Sequence, residues 1–412
     1  MKFSDEVTIS LEVIHLLGSG LILLVLGAVL FSVARETLPY YQDGVYGLLL
    51  VIFGLQLQII GKNPIQSVER TWPVLISGII VTAIGFVTCF IPEIFGDVPK
   101  SMVIIIFGVG GILLLFQLFF PEGTHPSWKT SDDGVFSLLT LIRATVYILM
   151  ILVAILVAMQ MYLPGLLSTE LLAGIAMIFG LVLFFLAVVF HKMQPLRPES
   201  DILTPAHCIP LTTVMGMQYG IFMLVSGCLL VLVYQGLLPW ALSAQLGTLV
   251  VLLGIQTLVV GNMMTLTFKR NTIVILVGMV FLAVGTFGII VPDILVTLLA
   301  VFIAFFNIFG GIYLIYTLIR DILRSTSDVP VPKPEGKDLS LLLLLLALAF
   351  LTAILMILIG VAMLIIDRIP GIAFAIFLAG FGLTLFALFY VLALAERKHL
   401  LNKKVPGDNP MY

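Results

Sequence analysis

Long apolar stretches alternate with short polar segments along the whole chain. Each stretch has about 18 to 27 residues, which is enough for a helix to cross a hydrocarbon core of about 30 Å. The pattern predicts twelve transmembrane helices over residues 11–34, 44–61, 72–91, 101–120, 141–163, 168–191, 210–235, 240–265, 271–291, 293–319, 339–366 and 370–395.

The predicted helices pair into six hairpins, because an apolar residue followed by proline stands at every second junction. Proline ends the incoming helix and suits the first turn of the outgoing one. The six tips are Leu38-Pro39, Ile91-Pro92, Leu163-Pro164, Leu238-Pro239, Val291-Pro292 and Ile369-Pro370. The longer connections, 121–134, 193–210 and 325–338, all lie on the other side.

The first part of the chain recurs 200 residues downstream, and its glycines show this best. Gly20, Gly27, Gly47, Gly54, Gly61, Gly78 and Gly85 return as Gly220, Gly227, Gly247, Gly254, Gly261, Gly278 and Gly285. After a slip of six residues, the segment ILMIL at 148–152 returns at 354–358. The pattern indicates a tandem duplication.

This duplication divides the sequence into two halves. We expect an N-terminal six-helix membrane half over 1–192, a Pro-rich cytoplasmic linker over 193–210, a C-terminal six-helix half over 211–398 and a cytoplasmic tail over 399–412. With an even number of helices, both halves enter the membrane in the same direction. Their pseudo-twofold axis should therefore run along the membrane normal.

The repeated glycines are also candidate packing residues. They recur every seven residues within a predicted helix, so they form a narrow smooth stripe. Small residues let helices approach closely in a bilayer, and this spacing favours left-handed crossings near about +20°. We therefore expect the first three helices of each half to pack into a tight core.

Composition excludes an ordinary soluble domain, since 61% of the 412 residues are hydrophobic and only 10% are charged. Of the 20 Lys and Arg residues, only Arg35, Lys100 and Arg368 lie at the proline tips. The positive-inside rule then places both termini in the cytoplasm of a plasma membrane protein. The expected partners are the lipid bilayer and further copies or other membrane subunits, with no nucleic acid.

Gln56 and Gln256 form a symmetric pair of candidate site residues. Each lies two residues beyond a stripe glycine and so projects from the opposite face of its helix. Either each amide bonds a neighbouring helix, or the two line a solute path near the pseudo-twofold axis. The isolated amides Gln117, Asn262 and Asn307 are expected to bond neighbouring helices.

Ionisable residues are missing from the middle of the predicted helices, which argues against proton- or ion-driven transport. Glu12, His15, Arg143 and Glu170 lie near helix ends, where we interpret them as interfacial.

Candidate chemistry is equally sparse. The three cysteines, Cys89, Cys208 and Cys228, lack CxxC spacing, and the adjacent His207 and Cys208 are a weak metal signal. The chain has no G-x-S-x-G, H-E-x-x-H or P-loop motif. We therefore predict a non-enzymatic protein without a catalytic, cofactor-binding or metal-binding residue.

The segment 77–119 (SGIIVTAIGFVTCFIPEIFGDVPKSMVIIIFGVGGILLLFQLF) combines glycines, a proline tip and a second glycine-bearing apolar helix. It resembles the short membrane repeats of HdeD-like acid-resistance membrane proteins, as does 278–313. Members of that family typically have about six spans, so this chain looks like two of them fused. The resemblance implies an association with acid stress and supplies no catalytic residues.

Two functional hypotheses remain open. The first is a structural, stress-related or accessory membrane protein that works by association, as the glycine stripes and the lack of buried charge favour. The second is a passive channel or carrier for a small neutral or apolar solute, as the duplication and the glutamine pair favour.

Overall fold

The computed structural model describes residues 11–59, 72–120, 134–163, 168–193, 211–260, 272–325, 337–365 and 370–403. Within these ranges the chain is helical and contains no strand, so the predicted all-α class is confirmed there. The helices are α1 (Leu11–Ala34), α2 (Gln42–Ile59), α3 (Trp72–Phe90), α4 (Val98–Phe119), α5 (Gly134–Tyr162), α6 (Thr169–Met193), α7 (Leu211–Tyr234), α8 (Leu242–Val260), α9 (Thr272–Ile290), α10 (Val296–Ser325), α11 (Lys337–Leu364) and α12 (Gly371–Lys403).

Nine of these helices are long and apolar enough to cross a membrane, namely α1, α4 to α7 and α9 to α12. The surface of α4 shows why hydrocarbon suits them. Ile105, Val109, Ile112 and Phe116 are all exposed, and their spacing puts them on one face of the helix. Such an apolar face would be unfavourable in water, so the helices belong to a multi-pass membrane protein.

The helices group into two compact units. Unit 1 contains α1 to α6 together with α8 and α9, whereas unit 2 contains α7, α11, α12 and α10 from Ala300 onward. Unit 1 therefore takes helices from both halves of the sequence.

Two helix pairs in unit 1, α2/α3 and α8/α9, pack through glycines. A Cβ atom placed on Gly47 would lie 2.6 Å from the carbonyl oxygen of Gly85, and one on Gly247 would lie 2.6 Å from that of Gly285. Real Cβ atoms essentially never come so close to another heavy atom. The backbones of both pairs thus touch where glycine leaves no side chain. Gly61 and Gly261 lie outside the described residues.

The glycines of α1 pack against a helix that we did not expect. A Cβ atom on Gly20 would lie 3.0 Å from the carbonyl oxygen of Gly180 on α6, and one on Gly27 would lie 2.7 Å from that of Ala173 on the same helix. The expectation that α1 packs chiefly with α2 and α3 is wrong. Small residues on α6 offer α1 an equally smooth surface, and sequence spacing alone does not identify the partner.

In unit 2, α7 packs along α12 by the same kind of contact. A Cβ atom on Gly220 would lie 2.9 Å from the oxygen of Gly382, and one on Gly227 would lie 2.7 Å from that of Ala375. On α10, a Cβ atom at Gly311 would lie 2.7 Å from the oxygen of Ala353 on α11. Close backbone contact therefore occurs in this unit too.

Two reciprocal hydrogen bonds join the helix pairs of unit 1. The backbone N–H of Tyr41, just before α2, donates to the carbonyl of Ile290 at the end of α9, over 3.0 Å. The N–H of Ala241, just before α8, donates to the carbonyl of Phe90 at the end of α3, also over 3.0 Å. Each bond satisfies a helix-terminal group that would otherwise need another partner.

Helix α4 contains a π-helical segment over Ile104–Val109, between α-helical segments Val98–Val103 and Gly110–Phe119. Its counterpart by sequence, α10, is α-helical throughout. A π segment inserts extra residues into a helix and re-aims the neighbouring side chains. This irregularity distinguishes α4 from α10.

Candidate functional site

A cavity of about 140 Å³, partly open at its surface, lies among α1, α2, α4, α5 and α6 of unit 1. An apolar protein cavity of about 150 Å³ can take up benzene. The cavity therefore has room for one small molecule. Most of its wall is aliphatic or aromatic.

Several helices present one face each to the cavity. The lining residues include His15, Ser19 and Leu23 on α1, Leu49, Phe53 and Gln56 on α2, and Arg143, Tyr147 and Met150 on α5. Steps of three or four residues keep successive side chains on the same side of a helix. The helical repeat alone thus converts these scattered residues into a continuous lining.

The lining is polar at one end and apolar at the other. His15 and Ser19 lie near the start of α1, Gln56 near the end of α2, and Arg143 in the third turn of α5. Leu49 lies seven residues before Gln56 on α2, and Met150 lies seven residues after Arg143 on α5. Seven residues correspond to about 10 Å along the helix axis at ~1.5 Å per residue. A ligand would thus meet hydrogen-bonding groups at one end and hydrocarbon at the other.

The polar residues at this end are at least half-buried, and two of them contact each other. The Ser19 hydroxyl and His15 Nε2 are 3.4 Å apart, at the long limit of a hydrogen bond. Ser19 and Tyr147 are buried, whereas Arg143 and Gln56 are half-buried. Burial strengthens the field of the Arg143 guanidinium, because less water screens it.

Aromatic rings form one side of the cavity. The centroids of Phe53 on α2 and Phe107 on α4 are 6.1 Å apart, within the usual range for aromatic pairs. Phe107 belongs to the π-helical segment of α4. The irregular part of α4 therefore supplies a wall of the cavity.

A second, much smaller cavity adjoins the same residues. It measures about 20 Å³, lies among α1, α2, α8 and α9, and is also lined by His15 and Ser19. This space is enough for one water molecule, which needs about 10 to 15 Å³ by this measure. His15 thus stands between the two cavities.

Of the two glutamines in the predicted pair, the structure describes the side chain of Gln56 but not that of Gln256. Gln56 lines the larger cavity, whereas the side chain of Gln256 on α8 lies outside the described residues. The idea of a symmetric pair stays a prediction. His15 and Arg143, which we interpreted as interfacial, both line the cavity as well.

A buried amide that we did not single out is Gln58. Its Nε2 donates to the Thr82 hydroxyl over 3.1 Å, and that hydroxyl donates to the Gly78 carbonyl over 2.6 Å. Gln58 and Thr82 each follow a stripe glycine by four residues, which places them on the packed face. That spacing could have identified the pair from the sequence.

The other isolated amides do not all behave as expected. Asn307 donates to the carbonyl of Ile303 in its own helix over 2.8 Å. Gln117 is exposed, and Asn262 lies outside the described residues. The carbonyl one turn earlier takes one of the two amide hydrogens of Asn307, so its expected role in joining helices stays a prediction.

Among the described residues there is no group of three or more His, Cys, Asp or Glu side chains that could hold a metal ion. Cys89 is buried and Cys228 is exposed, and both are free thiols. His207 and Cys208 lie outside the described residues.

Comparison with known proteins gives no match: no family model, no curated protein and no solved structure matches the chain.

Proposed function

We propose that this protein is a non-enzymatic passive carrier that binds a small, mainly apolar solute in the cavity of unit 1. The observation that carries the proposal is the cavity itself, with a volume of about 140 Å³ inside a membrane-type helical unit. Helix packing normally leaves few voids larger than a water molecule.

The proposal includes a topology. All twelve helices cross the bilayer, with both termini in the cytoplasm and the proline tips outside, in two parallel halves of six. Even the shortest of them, α2 with 18 residues, spans about 27 Å at ~1.5 Å per residue, close to the ~30 Å of a hydrocarbon core. In this orientation the polar end of the cavity faces the cytoplasm.

The repeated glycine contacts support a common origin of the two halves. Gly47 with Gly85 and Gly247 with Gly285 make closely similar contacts in two separate helix pairs. We therefore retain a tandem duplication of an HdeD-like membrane repeat as the origin of the chain. That family offers no mechanism, so the cavity carries the functional proposal.

Photolabelling tests whether the cavity takes up a solute. The protein in nanodiscs is irradiated with a benzene-sized aryl diazirine, and the labelled residues are mapped by mass spectrometry. We expect labelling of cavity residues on α1 and α5, and competition by excess benzyl alcohol. The lipid-facing residues Ile112 and Phe116 provide an internal standard, since their labelling should not respond to the competitor.

Ser19→Tyr is the matched variant, because the second copy of the repeat has Tyr219 at this position. A tyrosine ring in place of a hydroxymethyl group should fill much of a 140 Å³ cavity. Cavity labelling should be lost in this variant while labelling of α4 persists. Equal cavity labelling in the two proteins would contradict the proposal.

A second candidate function, that of an accessory subunit, is favoured by Gly174 on α6 and Gly380 on α12. A Cβ atom on either would meet nothing within 4 Å among the described residues, in contrast to the packed glycines. Open small residues are suitable contact points for further membrane helices. Native mass spectrometry after gentle extraction would reveal stoichiometric companions if this function holds.

A further inference from the structure

We infer that the solute carries a single aromatic ring, which binds among the aromatic side chains of the larger cavity. The inference rests on the proposed function and names the chemical class of its solute. The composition of the lining, the arrangement of two of its rings and the volume of the space all favour such a ligand.

The larger cavity is rich in aromatic side chains. More than one in four of its lining residues are Phe or Tyr, whereas Phe, Tyr and Trp make up 10% of the whole chain. Four helices supply them, with Phe53 on α2, Phe107 on α4, Tyr147 on α5, and Phe179 and Phe190 on α6. A molecule in the cavity would therefore meet rings from four different helices.

The smaller cavity beside it provides a contrast. None of the described residues that line it is Phe, Tyr or Trp, and apart from His15, Gly18 and Ser19 its wall consists of leucine and isoleucine. The two cavities share His15 and Ser19 and both adjoin α1 and α2. Aromatic residues therefore collect around the space that can hold a ring, and not around the one that can hold a water molecule.

Two of the rings have an arrangement that suits a third ring. The planes of Phe53 and Phe107 are tilted by 45° to each other, and their centroids are 6.1 Å apart. Aromatic pairs prefer offset-stacked or edge-to-face contacts, because the face of a ring is negative and its edge is positive. A ligand ring that lies edge-on to one of the two still meets the other at a tilt, so both contacts are favourable. A saturated ring lacks this charge pattern and gains dispersion alone.

The helices do not need these rings in order to form. In the register of the predicted repeat, the positions that correspond to the five aromatic residues are all non-aromatic, and they all lie in helices. They are occupied by Leu253, Asn307, Ala353, Leu385 and Glu396. The feature that the five aromatic residues share is therefore the cavity that they line.

Phe107 belongs to an irregular part of its helix. It lies in the π-helical segment Ile104–Val109, and π segments are rare and frequently found at functional sites. At the corresponding position of α10, which is α-helical throughout, Asn307 donates to a carbonyl of its own helix. The π segment and the aromatic ring of the lining thus occur together in α4.

The volume limits the number of rings in the ligand. The cavity measures about 140 Å³, and an apolar cavity of about 150 Å³ takes up one benzene molecule. A single ring with a short substituent is therefore of suitable size. Benzyl alcohol fits this description and serves as the probe.

The test compares benzyl alcohol with cyclopentylmethanol, which has the same hydroxymethyl group, a saturated ring and nearly the same volume. The full chain in nanodiscs is labelled with the aryl diazirine, and the concentration of each alcohol that halves the labelling of cavity residues is determined. Concentrations are measured in the lipid phase, so that partitioning into the bilayer does not contribute. We expect benzyl alcohol to act at about fivefold lower concentration, within the range for aromatic contacts.

Phe53→Leu and Phe179→Leu are the test variants, because leucine stands at the corresponding positions 253 and 385. Each variant removes one ring and keeps the wall apolar. We expect the preference for benzyl alcohol to fall to about twofold in each, since one set of aromatic contacts is lost. Displacement of the label by cyclopentylmethanol shows that the variant is folded. Phe116→Leu is the control, since it removes a ring from the lipid-facing surface of α4, and it should keep the fivefold preference.

The outcomes separate the inference from the proposed function. If the two cyclic alcohols act at the same concentration on the unaltered chain, or if the fivefold preference persists in both test variants, the inference is overturned and the proposed function stands. n-Hexanol represents the acyl chains of lipids, and displacement by it at lower concentration than by benzyl alcohol would also overturn the inference. If no cavity residue is labelled, the inference and the proposed function both fail.

Discussion

The α2/α3 pair and the α8/α9 pair share their backbone contacts but differ in how the remaining space is filled. In the first pair, Gln58 hydrogen-bonds Thr82 beside the glycines. In the second, Leu258 and Leu282 occupy the corresponding positions, and both are buried. Glycine contact therefore sets the distance between the helices, and either a polar or an apolar pair can complete the interface. The two pairs supply a matched comparison inside one unit.

The largest loss of stability is expected when the glycine contacts shared by the two helix pairs are lost. Gly85→Val and Gly285→Val should each lower the free energy of unfolding by about 3 kcal/mol, the upper part of the usual range for overpacking. The reason is that a Cβ atom at either position would lie 2.6 to 2.7 Å from the oxygen of the facing glycine. Equilibrium unfolding in mixed micelles measures both values.

Gly174→Ala and Gly380→Ala are the controls, since their Cβ atoms meet open space. Alanine should raise stability there by about 0.5 to 1 kcal/mol through its higher helix propensity. A large loss in only one of the two valine variants would show that the helix pairs are not equivalent.

A smaller effect should distinguish the pairs. Thr82→Val removes the hydroxyl that accepts from Gln58 and leaves a buried amide without this partner. We expect a loss of about 1 to 3 kcal/mol in the free energy of unfolding, the typical penalty for an unsatisfied buried group. Thr88→Val is the control, because the Thr88 hydroxyl donates to Ile84 in its own helix. A loss as large in Thr88→Val would assign the effect to helix propensity rather than to Gln58.

The smallest effect is expected when the first pair is made apolar like the second. The double variant Gln58→Leu, Thr82→Val should unfold within about 1 kcal/mol of the unaltered chain, because replacing both hydrogen-bond partners can be nearly neutral. Gln58 Oε1 already lacks a hydrogen-bond partner among the described residues, so part of its desolvation penalty disappears as well. A double-mutant cycle with the two single variants isolates the coupling. A double variant less stable than Thr82→Val alone would show that the amide contributes more than its bond to Thr82.

The pattern of apolar residues along the chain predicts the helices, but it does not predict which helices pack together. Each predicted apolar span contains a helix, although α5 begins at Gly134 rather than residue 141. Helices can continue past the apolar region because backbone hydrogen bonds do not depend on side-chain polarity. The choice of α6 as the partner of α1 could not be predicted, since many helices carry small residues.

The candidate site was only partly visible in the sequence. Gln56 was singled out, and Arg143 and Tyr147 lie four residues apart on one face of α5. The sequence did not show that His15 would meet them, because that depends on how α1, α2 and α5 assemble. The π-helical segment that contains Phe107 could not be predicted either, since a shift in backbone hydrogen bonding has no simple residue pattern.

The reciprocal backbone bonds at the helix ends have a consequence for biosynthesis. The Tyr41 N–H donates to Ile290 and the Ala241 N–H donates to Phe90, so neither bond can form until α8 and α9 have left the ribosome. At roughly 5 to 20 residues per second, the roughly 250 residues between Tyr41 and Ile290 take about 12 to 50 s to synthesise. During this interval α2 and α3 lack these hydrogen-bond partners. Nascent chains halted before α8 should therefore accumulate as an incomplete form of unit 1 that membrane quality control can recognise.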